Sequence, residues 1–479
     1  MTADIDLIRA ARDAEKHRAQ PKATPNPYLP AGYAPLMIGP CTVPFELETR
    51  HILMLGTTGA GKTQAMKQVL GCTRQREIPA LIIDHGGEMI QFLYREGIDI
   101  ILNPMDERSV GWCPFNETRR RSDFPRAAKL MIPDIDSQNQ EWIQGAQQIL
   151  ANSMYKLWTL GQAFRNNEAL LYFMLKAPLR GKDDATTLEW LLQGTASARM
   201  FEEGNEKALA ITMGIVGKHM EPLTYLREGS FSITDHVRSF EKVGVCRRTL
   251  FFSYTDQNYD AISSLMTMFM EFAVHAGLSL SESAERRFNI VLDELGSLKA
   301  MKALQHALTK LRKYGGVVIA GLQSTSQLQE QYGEKGAQSL LSCFGTILML
   351  RVADDETAEK LSKIVGDRRV IKTSTSDTLE SSDGKYNKSE TSKEEVERGL
   401  LGSAFTTLPD RTGYLRIAGM QNIPLIGMKK NGESDPASMI PVATWPVVAP
   451  KEIPRQDLDL DWLDEQQALL EPEIETLEA

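Results

Sequence analysis

Residues 56–64 read GTTGAGKTQ, directly after the apolar run HILML at 51–55. This junction constrains the fold more than anything else in the chain. Residues Gly56, Thr57, Thr58, Gly59, Ala60, Gly61, Lys62 and Thr63 fit the pattern G-x(4)-G-K-[ST]. In that pattern the glycines let backbone N–H groups turn inward round a phosphate chain. Lys62 then reaches the terminal phosphates, and the Thr63 hydroxyl ligates Mg²⁺. The loop also opens a helix, whose N-terminal dipole favours an anion. A strand, this loop and a helix in succession require an α/β unit with a mostly parallel sheet. A plain Gly-rich turn would need neither the strand nor the lysine.

Binding a nucleotide and consuming it are separate matters. FNIVLDE at 288–294 is a buried strand that delivers Asp293 and Glu294 to the carboxyl edge of the sheet, where α/β sites lie. Asp293 suits the Mg²⁺ contact and Glu294 suits polarising an attacking water, a pairing expected of a motor ATPase. A solvated acidic strand end is the alternative. Gln323 follows the run VVIAGL at 317–322 and can report the γ-phosphate, or can be an ordinary polar strand end. Between these strands lies LKAMKALQHALTKLRKYGG, with Met301, Leu304, Leu308 and Leu311 on one face. Lys299, Lys302, Lys310, Arg312 and Lys313 give it basic character without a nearby acid. That surface is either solvated or a contact for a nucleic-acid backbone or a neighbouring subunit's phosphates.

The rest of the chain organises round these motifs. At 479 residues it exceeds one ordinary core. Residues 1–45 are expected as a short charged helix (1–20) and a proline-rich extended linker, since 21–44 hold seven of the 22 prolines. The first part of the nucleotide-binding domain is placed at 46–117 and the second at 231–440. An all-α insertion is expected at 118–230, where Trp142, Ile143, Ala146, Ile149, Leu150, Met154 and Leu157 share a helical face. Within the second part, TGYLRIAG at 412–419 is expected as the final strand. Residues 372–396, rich in Ser, Thr and charge, are expected as a mobile loop. The net charge of −9 is concentrated at the end: 451–479 carry ten acids and two bases, a net of −8. The body is nearly neutral, so overall acidity does not exclude nucleic acid. The tail itself cannot favour DNA, but Trp462, Leu463, Leu469 and Leu470 could anchor it to a basic partner. Five scattered cysteines show neither a metal-ligand spacing nor a disulfide framework and fit a reducing cytoplasm. No window approaches 18 consecutive apolar residues, so no membrane span is expected.

HILMLGTTGAGKT, LIIDHGGEMI, DIILNPMDERSVGWCPFNE, IVLDELGSL, ALTKLRKYGGVVIAGLQSTSQLQEQYG and LPDRTGYLRIAG together resemble the coupling proteins of type IV secretion in bacterial conjugation, the TraD/TraG/TrwB group. The resemblance spans roughly 46–425 and implies a RecA-like P-loop NTPase domain with an inserted all-α domain. It further implies a homohexameric ATPase using ATP and Mg²⁺ at the cytoplasmic face of the inner membrane. Its partners would be single-stranded DNA or a DNA–relaxase complex and components of the secretion channel. Carried over, Gly56–Thr63 bind ATP, Thr63 and Asp293 hold Mg²⁺, Glu294 acts on water and Gln323 senses the γ-phosphate. Arg312, within TKLRKYG, would serve a neighbouring subunit's nucleotide, and is expected near the catalytic edge. The family usually begins with a transmembrane anchor, which this sequence lacks; a membrane partner could take its place. An FtsK/HerA-like translocase without a secretion partner, or a nucleotide-switched receptor for secreted proteins, remain as alternatives.

Overall fold

The computed structural model of the chain describes residues 35–133, 140–242, 248–298, 302–379, 386–420 and 423–428. The expected helix at 1–20, most of the proline-rich segment and the acidic tail lie outside these residues. Strands β1 (Leu36–Ile38) and β2 (Cys41–Val43) form a hairpin. The main sheet takes β3 (Ile52–Leu55), β4 (Ala80–His85), β5 (Ile100–Ile101), β6 (Thr249–Tyr254), β7 (Phe288–Leu292), β8 (Gly316–Leu322) and β9 (Thr346–Met349). A ribbon of β10 (Asp367–Leu379) and β11 (Tyr386–Arg398) follows, and β12 (Thr412–Ile417) and β13 (Leu425–Gly427) return to the sheet.

The nine-stranded order is β13-β12-β9-β3-β8-β7-β4-β6-β5. The seven strands from β9 to β5 are parallel, and β12 and β13 add an antiparallel edge. Parallel strands need both faces covered, which is why ILML and GVVIAGL are apolar throughout, and FNIVL apolar but for buried Asn289, rather than alternating. Alternate residues feed two cores. Leu53, Ile83 and Leu292 face one, with the helices Tyr259–Gly277 and Thr325–Ser342. Ile52, Ile82 and Val291 face the other, with the helix Lys62–Gln75 and the β1–β2 hairpin.

That hairpin corrects the expectation that the proline-rich segment is only an extended linker up to residue 45. Leu36, Ile38 and Val43 are buried, and Gly39 turns the chain at φ +56°. The Gln68 side chain spans the turn, accepting from Gly39 N–H at 2.8 Å and donating to its carbonyl at 2.9 Å. Pro35, Pro40 and Pro44 sit beside the two strands, not within them, so a high proline count did not prevent pairing. At the other end of the chain, TGYLRIAG contributes β12 but is not the final strand, since β13 pairs with it.

The segment expected as a loop at 372–396 is instead part of the β10–β11 ribbon, paired from Asp367↔Arg398 to Leu379↔Tyr386. A ladder satisfies the backbone by pairing alone, and the Thr residues favour extended backbone. Arg369–Glu394 at 3.4 Å and Arg398–Asp367 at 3.2 Å pair across it.

Between Pro114 and Glu241 the described residues form helices and turns and no strand. The helix Gln140–Leu160 buries Ile143, Ala146, Ile149, Leu150, Met154 and Leu157 as its spacing predicts, while Trp142 is only half-buried. The helix Ile233–Arg238 extends this block past the expected limit at 230. Two chain segments join it to the sheet, and they touch closely: a Cβ on Gly111 would lie 2.1 Å from the Glu228 carbonyl oxygen. Buried Glu117 ties the segments together. Its Oε1 accepts from Trp112 Nε1–H at 2.8 Å and from Ile233 N–H at 2.7 Å, and its Oε2 accepts from Thr234 N–H at 2.9 Å. The carboxylate thereby caps the helix Ile233–Arg238. Glu117→Ala strands two buried donors and one half-buried donor and should cost about 3 kcal/mol. Urea denaturation followed by tryptophan fluorescence checks this, with an earlier first transition expected.

Candidate nucleotide site

The phosphate loop is held open by the strands beside it. Gly56 N–H donates to Leu322 O of β8 at 3.0 Å, and Thr57 N–H donates to Arg351 O just after β9 at 2.8 Å. The loop then needs left-handed backbone at Gly59 (φ +76°) and Gly61 (φ +111°), which glycine adopts without strain. Gly56 is required for another reason: a Cβ there would lie 2.6 Å from Leu350 Cβ. The helix Lys62–Gln75 starts directly at Gly61, so its free N–H groups face the loop. Lys62 is buried, and its Nζ donates to Gly56 O at 2.7 Å and Thr57 O at 3.4 Å. Burial pushes the ammonium pKa down, while Glu294 and Asp293 oppose that shift. Thr63 is the second residue of the same helix and is half-buried.

Strand β7 delivers the acids. Asp293 N–H donates to Ile83 O at 3.3 Å as the strand ends beside β4. Burial raises the Asp293 carboxyl to about 6, with Glu88 and Glu294 adding to the shift and His85 and Lys62 opposing it. Glu294 is also raised by burial, against Lys62 and a hydrogen bond with Gln323. Gln323 begins where β8 ends, and its Oε1 accepts from the Thr58 hydroxyl at 3.3 Å. Gln323 therefore links the phosphate loop to Glu294. The Oε1 atom of Glu294 is buried with no hydrogen-bond partner among the described residues. Close approach of β7 and β8 relies on Gly321, where a Cβ would lie 2.1 Å from Asp293 O.

Lys62, Thr63, Asp293, Glu294 and Gln323 thus come to one edge of the sheet, and Arg312 does not. Arg312 precedes β8, whereas the phosphate loop meets the far end of that strand. The seven residues of β8 separate them by about 20 Å at the usual rise per residue. The expectation that Arg312 approaches the catalytic edge of its own chain is therefore corrected. A segment that precedes a parallel strand emerges at the sheet's amino edge, and Arg312 is exposed there.

Several neighbours were not singled out from the sequence. Asp84, the penultimate residue of β4, is fully buried, accepts from Met89 N–H at 3.1 Å and Ile90 N–H at 2.8 Å, and is raised by burial to about 7. Glu88 lies close enough to raise Asp293 and pairs with Lys67 at 3.1 Å. The acid and glycines of LIIDHGGE were visible, but not which acid would turn back as a cap. On the other side of the loop, Arg411 N–H donates to Ala60 O at 2.8 Å. The segment LPDRTG carried no motif of its own beyond the family resemblance.

A nucleotide with its magnesium ion fits this edge. The glycine cradle, the buried ammonium and the unpartnered Glu294 oxygen are the groups such a ligand would engage, with Thr63 and Asp293 as candidate ligands of the metal. The architecture is that of a RecA-like P-loop NTPase with an inserted helical block. Residues 35–429 match the family model of the type IV secretion-system coupling protein DNA-binding domain, and the chain belongs to that family. It is 27% identical over 429 residues to the coupling protein TraD of Escherichia coli K12, covering 88% of this chain and 56% of TraD. It thus spans little more than half of that relative, and a smaller part of the VirD4 protein of Agrobacterium fabrum, 18%, at 27% identity. Among solved structures, the unbound conjugative coupling protein TrwBΔN70 superposes with a TM-score of 0.72 at 28% identity, covering 82% of this chain and 88% of that one. TrwB in complex with ADP and Mg²⁺ gives 0.70 at 28% identity, covering 85% and 92%.

Asp293 has a folded pKa above its unfolded value, so the folded chain holds this proton to higher pH. Its contribution therefore favours folding at low pH and is lost as pH rises from about 4 to about 6. In the nucleotide-free protein, Asp293→Asn should raise stability near neutral pH by about 3 kcal/mol, with the difference from wild type nearly vanishing near pH 4. Denaturation of both proteins across this range checks it; a pH-independent difference would contradict the assignment. Lys62→Ala should keep the fold and lose nucleotide binding, measured by calorimetric titration.

Proposed function

We propose that this chain is an ATP-hydrolysing coupling protein that links a relaxase–DNA complex to a type IV secretion channel and drives DNA transfer in conjugation. The observation that carries the reading is the convergence of Lys62, Asp293, Glu294 and Gln323 on one sheet edge in a chain of the coupling family. TrwB has been solved with ADPNP and with ADP and Mg²⁺, which supports the same ligands here. When bound, ATP with Mg²⁺ supplies the transferable phosphoryl group.

The residues then have distinct tasks. Gly56–Thr63 cradle the phosphates, with Lys62 exchanging its loop carbonyls for phosphate oxygens. Thr63 and Asp293 hold the metal. Glu294 orients a water and accepts its proton as the new P–O bond forms and the bond to ADP breaks. A raised Glu294 pKa makes it a better base than an exposed carboxylate, provided it is ionised. Gln323, hydrogen-bonded to Thr58 and close enough to Glu294 to lower its pKa, carries the presence of the γ-phosphate to the helix Thr325–Ser342 that follows it.

Assembly supplies the remaining elements. In a homohexamer, exposed Arg312 would act on the nucleotide of a neighbouring copy, a role consistent with its distance from its own loop. The working location is the cytoplasmic side of the inner membrane, beside a membrane partner or channel component. No helix among the described residues is long and apolar enough to cross a membrane.

Glu294→Gln should retain ATP binding and lose hydrolysis by about 10²–10⁴-fold. Single-stranded DNA should stimulate wild-type hydrolysis, with affinity falling steeply as salt rises. A rate indifferent to DNA, in assembled protein, would favour a receptor for secreted proteins instead. Mixing Arg312→Ala with Glu294→Gln should restore part of the activity, because intact Glu294 and a donated Arg312 can meet at some subunit boundaries. No recovery despite subunit exchange would remove Arg312 from that role.

A further inference from the structure

Arg411 has φ +60°, a left-handed conformation uncommon for any residue but glycine. Its backbone is fixed from both sides: the N–H donates to Ala60 O at 2.8 Å, and the carbonyl accepts from Met428 N–H at 2.8 Å. It also packs on the residue before Lys62, since a Cβ on Gly61 would lie 3.0 Å from Arg411 Cα and 3.1 Å from its Cγ. The preceding residue is braced as well, because Asp410 pairs with Arg351 at 2.7 Å while the Arg351 carbonyl accepts from Thr57 N–H. The segment is thus joined to the phosphate loop at two points. Glycine would satisfy both backbone bonds of residue 411 without strain. An arginine held there points to work for its side chain, which is half-exposed beside the loop.

The sheet order indicates which end of a nucleotide lies near it. The acids follow β7, two strands from β3 on one side, and Arg411 precedes β12, two strands from β3 on the other. The phosphate-loop reading puts the terminal phosphate with Lys62, which lies near Glu294 and Asp293 and so on the β7 side. The nucleoside then trails toward β9 and β12. We propose that Arg411 binds the nucleoside end, its flat guanidinium lying against the purine face. Such contacts suit arginine, whose planar cation stacks on aromatic rings and is weakly hydrated. This inference rests on the phosphate-loop reading above, but concerns the opposite end of the ligand.

The test is equilibrium binding of ATP, ADP and inorganic tripolyphosphate, each with Mg²⁺, to the full chain. Arg411→Gly keeps the backbone clasp and relieves the left-handed strain, so its melting temperature should not fall. It should bind ATP and ADP about tenfold more weakly, to the same extent, with tripolyphosphate unchanged. Arg411→Lys, which keeps the charge without the plane, should recover only a minor part of the loss. Unchanged ATP binding in Arg411→Gly would overturn the proposal. So would an equal loss for all three ligands, which would mean that Arg411 only shapes the loop. Full recovery by lysine would overturn the stacking contact. If wild type bound none of the three, the phosphate-loop reading itself would fall, a result distinct from any of these.

Discussion

The position of β3 between β8 and β9 sets the geometry of the whole nucleotide edge. Its parallel pairing aligns Leu55 with Leu322 on one side and with Met349 on the other. The two bonds that spread the phosphate loop, from Gly56 to Leu322 and from Thr57 to Arg351, are continuations of those ladders. A shift of either neighbour would move the loop, Gln323 and Arg351 together. It would also reverse the faces of buried strands whose alternate residues belong to different cores. Register and site geometry are therefore the same constraint, and the packing of both cores protects it.

That rigid frame supports an edge that is electrostatically unfavourable by itself. Asp84, Asp293 and Glu294 are all raised, burial being the largest cause in each case. Lys62 offsets part of this but is turned to its own loop carbonyls. Bringing a metal ion and a polyphosphate to such a site neutralises its acids and gives Lys62 a stronger partner. Ligand binding and site stability are thus coupled. Gln323 sits at the same junction: it contacts the loop through Thr58, lowers the pKa of Glu294, and leads straight into a helix.

The residues legible in the sequence were those whose chemistry lies in contiguous spacing. The phosphate loop and the Asp293–Glu294 pair each follow an apolar strand, so type and position could be read together. The helical face from Ile143 to Leu157 was legible by the same logic, its period being that of the helix. Asp84 and Arg411 were not, because their roles arise from a backbone turning back or a distant segment pressing on the loop. The β1–β2 hairpin was hidden by proline count, though Leu36 and Ile38 already alternate toward the core. Arg312 shows the limit of sequence proximity: it is close in sequence to the start of β8, and the catalytic edge lies at the strand's other end.

The amino edge, where Arg312 lies, is built in the opposite way from the catalytic edge. Glu48 is met there by Arg76 at 2.7 Å and Arg287 at 3.5 Å, and Arg287 also stacks on Phe45 at 3.8 Å. His51, buried at φ +61°, accepts from Val318 N–H at 3.0 Å through Nδ1 and donates from Nε2 to Leu308 O at 2.9 Å. Burial, the largest cause, lowers its pKa to about 4. The neutral ring suits both contacts, since a protonated Nδ1 could not accept from Val318. This bridge fastens β3 and β8 to the helix Lys302–Lys310 just before Arg312. One edge is thus held by its own ion pairs and hydrogen bonds, which fix the backbone at the exposed arginine on a rigid base. The other leaves buried acids to be completed by a ligand. In a ring that set one subunit's amino edge against the next subunit's nucleotide, the Arg312 backbone would arrive pre-positioned, leaving chiefly side-chain entropy to lose.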